Sequence, residues 1–390
     1  MVKDSNIQAF FTLLKFGLFP AHNEGGIVND AFPENVDWEK VYQLAQEQSV
    51  QGVALHGVEW IKSHNVYFNI PQELLLQWIG EVRYIEHQNR SMNDFVVRLI
   101  TQLHNDDIYT ILVKGQGIAQ CYEKPLWRSC GDVDLLLSDS NYEKACYELD
   151  ILVGNKERQT AKDVERKHRE YQIDGWSVEL HGTMHANLSR RIDKEIDRVQ
   201  QDVFYGGNVR SVEFISSQGS STQIFLPAPN EDVIFVFTHI LQHLFLEGIG
   251  FRQICDWCRL LHNYKNSLNH VLLESRIRKM GLMTEWKVFG ALAIEYLGYP
   301  KDSMPLFESS GAQEFKKYKN KADRLMCFIL EVGNFGHNRE VEWSNPLKRR
   351  TSLIWHRITD TVKLSFIFPL DAPRFLLNYA VDGVRGLVRR

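Results

Sequence analysis

Apolar residues recur every three or four positions through "IQAFFTLLKFGL" (7–18), "DWEKVYQLAQEQSVQGVALHGVEWIKSH" (37–64) and "PQELLLQWIGEVRYIEHQNRSMNDFVVRLITQLH" (71–104). That spacing lays one face of a helix on a core. Asp37 ahead of Trp38 and Pro71 ahead of Gln72 mark helix starts, so residues 1–105 are expected to form a helical region. Past Asp107 the period shortens. "IYTILVKG" (108–115) and "DVDLLL" (132–137) read as strands, and "GIAQCYE" between them as one or two helical turns. "NYEKACYELDIL" is an amphipathic helix with Tyr142, Ala145, Cys146 and Leu149 on one face. "REYQID" and "WSVELHG" predict a hairpin turning on Asp174-Gly175. Residues 106–228 are thus expected to be a mixed α/β core. Helical spacing returns in "NEDVIFVFTHILQHLFLEG", with Asn230 as its cap, and continues through a C-terminal helical domain, 229–340. A basic, aromatic tail occupies 341–390. The predicted class is α+β, a small mixed sheet with helical regions on either side in sequence, without internal repeats.

With 44% hydrophobic and 24% charged residues the chain can bury a sizeable core. A net charge of -4 provides no field for bulk nucleic-acid binding. The start of the chain does not read as a cleavable leader, and no run approaches the ~18 apolar residues that span a bilayer. A cytoplasmic location is expected. Six irregularly spaced cysteines do not suggest a disulfide framework. Cys255-Asp-Trp-Cys258 falls in a helical pattern and reads as two buried reduced thiols rather than a zinc or redox motif.

Chemistry concentrates in "KGQGIAQCYEKPLWRSCGDVDLLL" (114–137). Strand alternation puts Asp132 and Asp134 on one face, the pairing a hard divalent cation uses when it bridges protein carboxylates and phosphate oxygens. Alone, an Asp-x-Asp is better explained by a solvated strand entry than by a metal site. In "WSVELHG" the same alternation buries Trp176, Val178 and Leu180 and turns Ser177, Glu179 and His181 to the opposite face. If the two strands are neighbours, Glu179 joins the aspartates in one acidic cluster. Lys114 and Arg128 supply positive charge nearby. Gly115, Gln116 and Gly117 begin a turn where backbone N–H groups can approach phosphate. The plainer alternative is that Arg128 pairs with an aspartate and the glycines only turn the chain.

The order of Lys-Gly, then Arg a few residues before Asp-x-Asp, then Glu-Leu-His, carried by "LVKG", "PLWRSCGDVDLLL" and "VELH", resembles the bacterial uncharacterised nucleotidyltransferases of the DNA polymerase β-like superfamily. "VDWEKVYQLAQEQSV" and "THILQHLFLEGIGFRQICDWCRLL" extend the similarity on either side. The resemblance implies a polymerase β-like core and metal-dependent transfer of a nucleotidyl group from a nucleoside triphosphate such as ATP to a hydroxyl. It assigns Mg²⁺ or Mn²⁺ to Asp132, Asp134 and Glu179, with Glu179 on the acceptor side. The superfamily's usual Gly-Ser or Gly-Gly after the first strand is Gly115-Gln116 here, so the phosphate end of the site follows the pattern less closely than the metal end.

A second cluster lies downstream. His239, His243 and Glu247 share a helix face, and Arg252 and Asp256 follow the Gly248-Ile-Gly250 break. His243 and Arg252 are candidates for substrate binding, and His181 for support of a metal ligand; His168 and His185 are open to either reading. Two alternatives to the transferase stand: a catalytically silent binding protein on the same fold, and a zinc hydrolase using His239, His243 and Asp256. The tail is a candidate for weak contact with a membrane surface or a partner.

Overall fold

The computed structural model describes residues 4–23, 32–64, 68–154, 167–307, 311–339 and 346–388. It divides into two compact units: residues 83–185 with 193–236, and residues 1–82 with 186–192 and 237–390. The expected boundaries at 105, 228 and 340 followed changes of period along the chain, whereas this grouping follows packing.

The first unit is built on six strands: β1 (Ile111–Val113), β2 (Asp132–Leu136), β3 (His168–Ile173), β4 (Trp176–His181), β5 (Val209–Ile215) and β6 (Ser221–Pro227). They form one mixed sheet in the order β3-β4-β2-β1-β6-β5. β2 runs parallel to β4 and antiparallel to β1, while β1 runs parallel to β6. β3 and β4 form the expected hairpin. Asp174 and Gly175 have φ of 51° and 82°, the two positive values of a type I′ turn, which matches the right-handed twist of the flanking strands. The β5–β6 hairpin and the Arg190–Phe204 helix were not singled out in the sequence pattern.

One face of this sheet carries the core. Val133, Leu135, Leu137, Tyr171, Ile173, Val178 and Leu180 pack with Tyr142, Ala145, Cys146 and Leu149 of the Asp139–Val153 helix. Phe95, Val96, Leu99, Ile100 and Leu103 of the long Gln72–Asn105 helix join the same core. The alternate residues of β2, β3 and β4, including both aspartates and Glu179, lie on the other face.

The second unit is helical. Asp37 caps the Trp38–Glu47 helix through its carboxylate. The helix for which Asn230 was expected as the cap spans Pro229–Leu246, so Asn230 lies inside its first turn instead, and residues 229–236 of that helix group with the first unit; proline's missing N–H costs nothing at the helix start. Trp257, Trp286, Phe237 and Phe289 interlock edge-to-face and stacked at the centre. The Ser5–Leu18 and Gln51–Ser63 helices cross almost backbone to backbone: a Cβ at Gly17 would strike the Val53 carbonyl, and one at Gly57 the Leu13 carbonyl. Among the described residues no helix is long and apolar enough to cross a membrane.

Candidate active site

The parallel pairing of β2 with β4 sets Asp134 opposite Glu179, with Asp132 opposite Ser177. Directly paired residues project to the same face, and so Asp132, Asp134 and Glu179 converge. Each offers a carboxylate oxygen, and these oxygens lie within 4.8 Å of one another. The antiparallel hairpin brings in a residue from the edge strand: His168 pairs with His181 and Glu170 with Glu179. His168, Glu179 and His181 make a second group of ligand atoms within 4.8 Å.

Lys114 follows β1. Val113 is paired with Asp134, so regular alternation would send Lys114 to the other face. A φ of 56° breaks that alternation, and its Nζ reaches Asp134 Oδ1 at 2.7 Å. Non-glycine residues in this region carry strain that surrounding contacts must hold in place. Gly115 turns at φ 30°, and a Cβ there would sit 3.2 Å from the Asp132 carbonyl, so the turn passes close against β2.

Charge is tightly balanced. Asp134 is almost wholly buried, and besides Lys114 it meets His181 Nε2 at 2.8 Å. Burial opposes its ionisation, but the Lys114 charge and the His181 bond outweigh burial and hold its carboxyl below the ordinary value. Burial likewise pulls at the Lys114 ammonium, and Asp134 overcomes it, leaving the lysine above its usual value. Glu179 Oε2 faces His168 Nε2 at 3.2 Å and His181 Nε2 at 3.4 Å. Those two imidazoles hold Glu179 well below the usual carboxylate range. His181 is raised: burial and Lys114 disfavour its cation, and the bonds to Asp134 and Glu179 prevail.

The remaining expected residues are placed differently. Gln116 is buried, and its side-chain amide donates to Asn89 Oδ1 at 3.0 Å, bracing the turn from inside rather than lining the acidic face. Arg128 is also buried, its guanidinium on the Ser129 carbonyl and the Cys130 sulfur. The loop that carries it is pinned to the long helix. Asn89 Nδ2 donates to the Leu126 and Arg128 carbonyls, and Trp127 Nε1 donates to Glu86. Sequence reasoning missed Asn89 and Glu86; their only trace was polarity within an otherwise amphipathic helix. His185 pairs with Asp197 at 2.6 Å. His243 and Arg252 belong to the helical unit. There His243 lies between His239 and Glu247, at 3.3 and 3.1 Å, and the backbone N–H of Arg252 donates to the Gln48 carbonyl. Among the described residues only the two groups above bring three metal-type ligands together, so His239, His243 and Asp256 do not make a third. Cys255 and Cys258 are buried thiols, and burial raises both.

A small mixed sheet flanked by helices, bearing Asp-x-Asp on one strand and a third acid in register on its parallel neighbour, has the architecture of a nucleotidyltransferase core. The family model described as uncharacterised nucleotidyltransferase matches residues 34–298, and the chain belongs to that family. Neither the curated proteins nor the solved structures contain a significant match.

Proposed function

We propose that this protein transfers a nucleoside monophosphate from a nucleoside triphosphate to a hydroxyl of a small-molecule, sugar or protein acceptor, using Mg²⁺ or Mn²⁺. The observation that carries this reading is the convergence of Asp132, Asp134 and Glu179, with Lys114 on Asp134. Three carboxylates offer only oxygen donors, which suit hard cations that keep other positions for phosphate and water. The positive charges already gathered there fit the same reading: Lys114 and His181 neutralise Asp134 where a cation would otherwise do so.

When bound, the metal would stabilise charge on the transferring nucleotidyl phosphate and on the pyrophosphate that leaves, and would acidify the acceptor hydroxyl. Asp132, Asp134 and Glu179 would hold the cations, with Glu179 on the acceptor side. Lys114 exchanges Asp134 for a triphosphate oxygen, its strained turn keeping the ammonium on the polar face. Gly115 allows the chain to pass close to β2, and Arg128 adds positive potential from its pinned loop. Such positioning and charge compensation are most of what in-line phosphoryl chemistry asks of a protein. A substrate-binding role is also proposed for His243 and Arg252.

A nucleoside triphosphate substrate and six reduced cysteines fit a cytoplasmic setting. Residues 345–390 hold nine Lys or Arg against three Asp or Glu, and Ile354, Trp355, Ile358, Val362 and Phe366 are exposed there. This combination suits peripheral contact with an anionic membrane surface.

The test is thermal unfolding with Mg²⁺ and each nucleoside triphosphate, followed by a search for transferred label in a cell extract. Stabilisation by the metal–nucleotide pair should vanish in the Asp132→Asn, Asp134→Asn double variant. Equal stabilisation of that variant would refute the proposal.

A further inference from the structure

We propose that His168, Glu179 and His181 form a second cation site, of Zn²⁺ type, beside the three-carboxylate site and sharing Glu179 with it. Two antiparallel strands build it: β3 contributes His168, and β4 contributes Glu179 and His181 from the same face. The distances fit a specific coordination. Zinc bonds of ~2.0–2.1 Å in a tetrahedron give ligand-to-ligand edges of about 3.3–3.4 Å. His168 Nε2 to Glu179 Oε2 is 3.2 Å and His181 Nε2 to Glu179 Oε2 is 3.4 Å, and all three ligand atoms fall within 4.8 Å of one another. Two of the three edges already have the required length without a metal.

The donor chemistry separates this site from its neighbour. Asp132, Asp134 and Glu179 offer oxygen alone, the set a hard cation prefers. Two imidazole nitrogens and one carboxylate suit a borderline-soft cation, which magnesium does not match. Burial grades across the group: the His181 side chain is 14% exposed, Glu179 24% and His168 40%. The His168 side is therefore open to solvent, where a fourth ligand such as water or an acceptor hydroxyl would enter.

His181 Nε2 also touches Asp134 Oδ1, so His181 must exchange that carboxylate for the cation. The exchange is favoured once Asp134 is itself neutralised on the other side, which makes occupation of the two sites cooperative. This inference deepens the nucleotidyl-transfer reading and rests on it only for the role of the cation, which is to hold the acceptor hydroxyl.

The experiment loads the full-length protein with one equivalent of Zn²⁺ in excess Mg²⁺ and records the zinc X-ray absorption spectrum. Two imidazole ligands are expected in the wild type and one in His168→Gln, a substitution on the half-exposed edge strand. Calorimetry on the same samples should show Zn²⁺ affinity falling at least ~100-fold in His168→Gln, since even partners behind a metal ligand are worth 10–100-fold. Zinc bound through oxygen alone, no stoichiometric zinc, or an affinity unchanged by His168→Gln overturns the proposal. Magnesium-dependent nucleotide transfer is assayed in parallel. Imidazole ligation without transfer would remove the enzymatic reading and leave the cation site standing, and transfer without imidazole ligation would do the reverse.

Discussion

Replacing Lys114 with methionine removes one charge from the centre of the site and leaves its volume nearly intact. The ammonium lies 2.7 Å from Asp134 Oδ1, with side-chain exposures of 15% and 2%. At an effective dielectric of ~20 that separation corresponds to an attraction of about 6 kcal/mol. Desolvation offsets part of it, and breaking one half of a buried pair costs ~3–5 kcal/mol because the other charge stays buried. His181 remains on the same oxygen at 2.8 Å, which places the expected loss near the lower end, about 3 kcal/mol. Methionine at a φ of 56° is strained much as lysine is, so the backbone contribution cancels between the two proteins. Urea unfolding with and without Mg²⁺ gives the measurement. The metal-free variant should lose about 3 kcal/mol, and Mg²⁺ should restore more stability to the variant than to the wild type, because the cation no longer displaces an ammonium. A loss under about 1 kcal/mol, or an identical Mg²⁺ response in both proteins, would refute the view that Lys114 occupies the cation's electrostatic place.

Acid should act on the same cluster. Asp134 and Glu179 have folded-state pKa values depressed below the ordinary one, so their contribution is fully present above about pH 4–5 and disappears as pH falls toward the lowered values; pH-dependent denaturation should show a shallower acid limb in Asp134→Asn. Gly57→Ala drives a methyl into the Leu13 carbonyl where two helices cross, and chemical denaturation should register a loss toward the upper end of ~1–3 kcal/mol; a loss below about 1 kcal/mol would mean that the crossing opens easily. The full chain should sediment with vesicles rich in phosphatidylserine and detach as salt rises, whereas equal binding to neutral vesicles would leave no role for the basic residues of the tail.

Part of this site was legible along the chain because strand alternation is a local rule. A period of two assigned Asp132 and Asp134 to one face, and Glu179 and His181 to one face of another strand. The Asp174-Gly175 pair gave the hairpin for an equally local reason, since both positions adopt positive φ. His168 was visible as a residue but not as a member of the cluster. Its membership depends on the hairpin register, and a slip of one residue would have turned it to the core face.

What sequence alone determined was the inventory: an Asp-x-Asp strand, a Glu-x-His strand, a lysine at a strand end and helices around them. Tertiary structure decided how these meet. The parallel register that sets Asp134 beside Glu179 joins residues far apart in the chain. The turn at Lys114 reverses the side that alternation predicts. The inward rotation of Gln116 onto Asn89 depends on a helix that enters the sequence well before the sheet. Each is a non-local choice, made by which pairing buries the most apolar surface and leaves the fewest polar groups unmatched, and periodicity within one segment carries no record of it.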